Sequence, residues 1–165
     1  MRIKVAELTK HRDTSFYYDF TMPLTSDREA GVWSREPVRV EVEAVYLGQE
    51  RGILVEGHFE SPARSRCHRC LQEFDLQLSG DFLEEVELAG EGACLEDRDT
   101  ACLGETIDLA VLAGEHLLLS LPLKFLCRED CRGICPQCGK DLTESACNCR
   151  GEVLDPRLEK LKELL

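Results

Sequence analysis

Eight of the ten cysteines in this 165-residue chain stand at spacings that suit metal coordination. Cys127, Cys131, Cys135, Cys138, Cys147 and Cys149 crowd into one C-terminal segment, and Cys67 and Cys70 form a CxxC pair far upstream. Thiols at this density serve disulfides, redox chemistry or metal. Pairs as close as Cys147 and Cys149 make poor long-loop staples. The first residues also lack a secretory apolar run, so the chain is expected in the reducing cytoplasm, where metal or reactive thiols are the usual roles of cysteine. Zinc suits four thiolates in a tetrahedron, with Zn–S bonds of about 2.3 Å. In "CPQCGKDL", Pro136 fixes φ between the two thiols and Gly139 is free to take positive φ, so the chain can turn back and aim N–H groups at the sulfurs.

The spacing favours Cys135, Cys138, Cys147 and Cys149 as one structural zinc ribbon. Cys127 and Cys131 then lack local partners, as does the upstream "CHRC". Joining Cys67, Cys70, Cys127 and Cys131 completes a second site and ties distant segments together. The competing partition places Cys127, Cys131, Cys135 and Cys138 on one ion and pairs the outer cysteines. The expectation is two zinc ions in closed shells, which leave no position open for catalysis. Cys94 and Cys102 have no partner at ligand spacing and read as ordinary cysteines.

Other chemistry finds less support. A redox CxxC usually stands alone in a thioredoxin-like βαβ context; here the pair follows a hairpin pattern. A thiol–disulfide oxidoreductase is the alternative reading. The four histidines, His11, His58, His68 and His116, form no HxxxH motif, and there is no GxSxG or glycine-rich phosphate loop. His116 reads as a packed histidine. No enzyme is expected.

Elements must position these thiols. "VRVEVEAVYLGQERGILVEGHFES" alternates apolar and polar residues about "GQERG", which predicts a hairpin with Val38, Val40, Val42 and Ala44 inward and Arg39, Glu41 and Glu43 outward. Its second strand, from about Ile53, would deliver Cys67 and Cys70 at its end. "FDLQLSGDFLEEVEL" continues the alternation through Phe74, Leu76 and Leu78. An N-terminal strand or arm is anchored by "FYYDF", and "TSDREAG" reads as a linker. Residues 89–105 lose all periodicity and read as a mobile acidic loop. Leu109, Leu112, Ala113 and Leu117 predict a helix over about 108–120 capped by Asp108. Asp155, Pro156 and the leucines after them predict a terminal helix over 155–165. No apolar run is long enough to span a bilayer.

The net charge of −12 opposes long-range attraction to polyanions. It is unevenly placed: nine acidic residues and one basic residue lie from Asp81 to Glu105, whereas Arg64, Arg66, Arg69, Arg128, Arg132 and Lys140 flank the cysteines. These cations either offset thiolate charge or form a nucleic-acid contact surface. Aromatic residues lie mostly in the N-terminal half, so base stacking is not an evident mode.

Taken in order, the hairpin, "CHRCLQEF", the acidic segment, "IDLAVLAGEHLLLSLPLKFLC", "CRGICPQCGKDL" and "DPRLEKLKELL" resemble the YceD-like family, the large ribosomal RNA subunit accumulation proteins. The resemblance implies a non-enzymatic bacterial factor needed for 23S ribosomal RNA accumulation, with the eight cysteines at the family's Cys positions. Its partners would be large-subunit ribosomal RNA, a precursor ribosomal particle or a basic ribosomal protein; an adaptor that binds protein alone is a further alternative. The expectation is one α+β domain over 1–165, with a mainly antiparallel twisted sheet, one central helix and a C-terminal helix. A β-rich body (1–125) would carry a zinc-ribbon-like module (126–150) packed on Cys67–Cys70.

Overall fold

The computed structural model describes residues 1–24, 31–34, 36–90, 93–94, 101–143 and 145–149. Its elements run β1 (Arg2–Lys4), α1 (Val5–Leu8), β2 (Ser15–Met22), β3 (Val32–Trp33), β4 (Val38–Gly48), β5 (Gly52–Arg66) and β6 (Glu73–Val86). Then follow β7 (Leu88–Gly90), β8 (Ala93–Cys94), β9 (Cys102–Leu103), β10 (Thr106–Asp108) and α2 (Leu109–Ser120).

The alternating pattern builds the main sheet. β4 and β5 form the predicted hairpin, with Val38, Val40, Val42 and Ala44 buried and Arg39 and Glu41 exposed. β2 pairs with β4, β6 pairs with β5 along its full length, and β3 joins the far end of β5. All these pairings are antiparallel; β4–β5 and β5–β6 are successive hairpins, which require it, while β2 reaches β4 and β3 reaches β5 across an intervening strand. Phe59 stands opposite Gly80 and Phe82 opposite Gly57, so each ring lies over a residue that has no side chain to obstruct it. The sheet is therefore the mainly antiparallel α+β body the sequence predicts, accompanied among the described residues by two helices.

The N-terminus holds more than an arm. β1 pairs with β10, which pairs with β9, and the single-turn α1 follows β1 directly. Part of the segment expected to be a loop thus forms strands, β7 with β8 and β9 with β10, and Ala101, Gly104 and Glu105 are turn residues; positions 91–92 and 95–100 lie outside the described residues, as do the "TSDREAG" linker apart from Gly31 and the terminal helix expected at 155–165. Asp108 caps α2 as anticipated, accepting from the Ala110 N–H at 3.1 Å, and also binds Arg2 Nε at 3.0 Å. Leu109, Leu112, Ala113 and Leu117 are buried, and Pro122 follows the helix end.

β5 runs through three successive clusters. Ile53, Val55 and Phe59 lie in the main core with α2, β10 and the buried valines of β4. Ala63 lies in a second cluster with Val32, Leu78 and Phe125, and Cys67, just past the strand's end, enters a third with Cys70 and Cys131. A strand of this length, about 3.3 Å per residue, carries the first CxxC pair away from the core to the edge of the body. Among the described residues no helix is long and apolar enough to cross a membrane.

Candidate metal centres

Both CxxC turns fold the same way. After β5, the Cys67 N–H donates to the Gln72 carbonyl at 2.8 Å and the Leu71 N–H donates to the Cys67 carbonyl at 2.9 Å. In the second turn the Cys135 N–H donates to the Lys140 carbonyl at 2.8 Å and the Gly139 N–H to the Cys135 carbonyl at 2.9 Å. The residue after the second cysteine must enter the left-handed region to close the turn: Gly139 has φ of 71° and Leu71 has φ of 63°. Glycine does so without strain, whereas leucine pays roughly 1 kcal/mol.

The sulfurs fall into two groups of four, Cys67, Cys70, Cys127 and Cys131, and Cys135, Cys138, Cys147 and Cys149, each with all its sulfurs within 4.8 Å of one another. This is the first of the two partitions. Cys67 Sγ lies 3.7 Å from Cys131 Sγ, and Cys70 Sγ lies 3.7 Å from Cys127 Sγ. A tetrahedron with metal–sulfur bonds of about 2.3 Å has sulfur–sulfur edges of about 3.8 Å, whereas a disulfide brings the sulfurs to about 2.05 Å. The donor set and its spacing fit a thiolate-bound metal ion.

The electrostatics point the same way. Burial pushes the Cys67 thiol up, but N–H groups of Cys70, Cys127 and Arg69 outweigh it and bring the pKa down to about 6. Backbone donors at Cys138 and Gln137 bring Cys135 down to about 6. Burial, reinforced by the neighbouring sulfurs, drives Cys127 up to about 12, and burial also raises Cys70. Cys149, hydrogen-bonded to Cys138, goes up to about 12. Each group thus favours one thiolate and resists a full set, because like charges a few ångströms apart repel. A cation at the centre removes that conflict.

The two groups differ in setting. Cys67, Cys70 and Cys131 are buried and Cys127 half-buried, while in the second group only Cys135 is buried and Cys138 and Cys149 are exposed. They are nonetheless joined. The Ile134 N–H donates to the Arg69 carbonyl at 3.2 Å, and Gln72 Nε2 donates to Asp141 Oδ2 at 2.9 Å. Gly133 lies against the first turn: a Cβ there would meet the Arg69 carbonyl oxygen at 2.8 Å. Within the first turn, the His68 N–H donates to the Phe125 carbonyl at 2.8 Å.

The cations flanking the cysteines mostly have partners within the chain. Arg64 pairs with Asp75, Arg66 with Glu73 at 3.4 Å and Arg128 with Asp130 at 3.9 Å. The Arg69 guanidinium donates to the carbonyls of Cys131 and Glu129, and Lys140 Nζ donates to the Ala146 carbonyl. Arg132 is exposed. Cys102 is buried in the main core, outside both sulfur groups. His116 is half-buried, stacked on Phe82 and bonded to Glu84 Oε2 at 3.1 Å. The sequence reading did not single out Leu71, Gly133, Gln72 and Asp141, which shape and join the turns. Only "CRGIC", with a glycine between two cysteines of the clustered set, offered a signal for one of them.

The family described as large ribosomal RNA subunit accumulation protein YceD matches residues 55–165. An uncharacterized protein of Mycobacterium tuberculosis is 31% identical, with 78% of this chain and 70% of the relative covered, and one from Mycobacterium bovis matches equally. An uncharacterized protein of Mycobacterium leprae is 26% identical, covering 78% of this chain and 59% of its own length. No solved structure gives a significant match.

Proposed function

Since the chain belongs to the YceD family of large ribosomal RNA subunit accumulation proteins, we propose that it is a non-enzymatic zinc-binding scaffold of large-subunit biogenesis, acting in the cytoplasm. The observation that carries this reading is the pair of four-sulfur groups, each with its sulfurs within 4.8 Å of one another and the first with two edges of 3.7 Å. Cys67, Cys70, Cys127 and Cys131 would hold one zinc ion and Cys135, Cys138, Cys147 and Cys149 a second. Zinc in such a shell supplies a cross-link and no open coordination position. The first ion fastens the end of β5 to the C-terminal segment. The second closes the ribbon that rests on the first turn through Arg69, Ile134, Gln72 and Asp141.

The scaffold would present two kinds of surface. Arg64, Arg66, Arg69, Arg128, Arg132 and Lys140 gather near the sulfur groups and suit phosphate contact. The outer sheet face carries Asp19, Glu41, His58 and Asp81 in one row and Tyr17, Glu43 and Glu56 in the next, an acidic face suited to a basic ribosomal protein.

The lowered Cys67 and Cys135 thiols are what a dithiol oxidoreductase would need. Zinc binding is preferred because each of these sulfurs is shared among three others rather than paired with one. Depletion of the protein, followed by sucrose-gradient profiling, tests the assignment. The expected result is less mature large subunit and less of its RNA. Unchanged profiles and RNA levels would remove the assignment, and a robust disulfide-exchange activity dependent on Cys67 or Cys135 would replace it.

A further inference from the structure

Trp33, the chain's single tryptophan, is far in sequence from every cysteine. The fold moves it next to them. β3 pairs antiparallel with the end of β5, so Trp33 stands directly opposite Arg64 and shares a sheet face with Arg64 and Arg66. Two grooves meet at this half-buried ring. One, of about 870 Å³, runs from Trp33 past Arg66 to His68 and Leu71 of the first CxxC turn. The other, of about 600 Å³, passes Arg64 toward Pro62 and Gln77. Trp33 is the wall they share, and Cys67 lines the first groove.

We propose that this groove is a binding site for single-stranded RNA, with a base stacked on Trp33 and flanking phosphates taken by Arg64 and Arg66. The proposal rests on the RNA arm of the scaffold reading and names its location. An indole face accepts any base, because every base has a π-face. Arginines two residues apart on a strand stand about 6.7 Å apart on one face, so they can serve successive phosphates of an extended strand. The exposed His68 and Leu71 extend the lining with a polar and an apolar contact.

The site also explains how so acidic a chain could hold RNA. Asp75 pairs with Arg64 and Glu73 with Arg66, so phosphate contacts compete with these carboxylates and stacking carries most of the affinity. Binding that neutralises at most about two phosphates should have a salt slope no steeper than about −1.4.

Because no other tryptophan contributes, intrinsic fluorescence reads the site directly. The full metal-loaded chain is titrated with a labelled single-stranded oligoribonucleotide of about 12 nucleotides. Label anisotropy and tryptophan emission are followed together. The expected result is saturable quenching of Trp33 whose midpoint matches the anisotropy curve. Trp33→Ala should weaken binding about tenfold or more, and Trp33→Phe should recover part of the loss. Should the alanine variant fold poorly, Asp75→Asn serves instead: freeing Arg64 should tighten binding several-fold with quenching intact. RNA that binds with unchanged Trp33 emission and equal affinity for Trp33→Ala would overturn this location and leave the scaffold reading standing. No RNA binding at low salt, with a basic ribosomal protein bound instead, would overturn both the site and the RNA arm.

Discussion

The Cys67–Cys70 turn and the Cys135–Cys138 turn make the same two backbone hydrogen bonds, yet the body of the protein walls in one sulfur group and leaves much of the other in solvent. The first turn grows from the end of a 15-residue strand, and its sulfurs pack with Phe74 and Leu126. The second is a local loop that gains its footing from the first, through the Arg69 carbonyl and Gln72. The comparison teaches that the same ligand motif can belong to a core or merely rest on one. Burial raises the cost of losing a ligand, so an ion held by the first group would act as part of the fold and one held by the second as an attachment to it.

The sharpest way to break the comparison is to delete one ligand on each side. Cys67→Ser should lower Tm by roughly 10–20 °C and abolish metal at the first group, because much of a structural ion's binding energy is folding energy. Cys149→Ser should cost one ion while leaving the β5–β6 amides protected in hydrogen exchange. Equal losses for both variants would erase the distinction.

The contact between the turns comes next. Gly133→Ala adds a Cβ against the Arg69 carbonyl at positive φ, and should destabilise the protein by roughly 2 kcal/mol or more in denaturant unfolding. A neutral outcome would mean that the second turn does not depend on the first.

Asp108 sets a scale away from both groups. Burial alone would raise its carboxyl, but Arg2 and the Met1 amino group outweigh that and hold it below its ordinary 3.8. A depressed folded pKa stabilises above the unfolded value, and that contribution fades as pH falls through the folded one. Asp108→Ala should therefore cost about 1–2 kcal/mol at neutral pH, with the gap to wild type closing below about pH 4. A pH-independent gap would mean the cap, not the charge, carries the effect.

The smallest effects separate the two left-handed residues. Gly139→Ala should cost about 1 kcal/mol through φ alone, since nothing lies within 4 Å of the added atom. Leu71→Gly should be neutral or slightly stabilising, as relief of strain offsets the entropy of glycine. A clear loss of stability there would show that the exposed Leu71 side chain matters more than its backbone.

Much of this frame was legible in the chain itself. Alternation located the β4–β5 hairpin and β6, the Asp108 cap and leucine spacing located α2, and the need for four ligands grouped Cys67 with Cys131. Each of those signals is local or stoichiometric. What escaped depends on pairing between distant segments. β1 and β10 are each three residues long, too short to show periodicity, and exist because they pair with each other. Trp33 sits on a two-residue strand whose meaning comes wholly from its neighbour Arg64. Leu71 in the left-handed region runs against its intrinsic preference, so only the identity of the two turns, seen in space, explains it.

The central claim is that each sulfur group binds one ion and that the first is the more firmly held. Native mass spectrometry of the reduced, folded protein during slow chelation tests it directly. The account predicts two zinc ions per chain at the start, then a persistent one-ion species that keeps Cys67, Cys70, Cys127 and Cys131 protected from alkylation. A folded chain that carries no metal with every thiol reduced, or that loses both ions at the same rate, would contradict it.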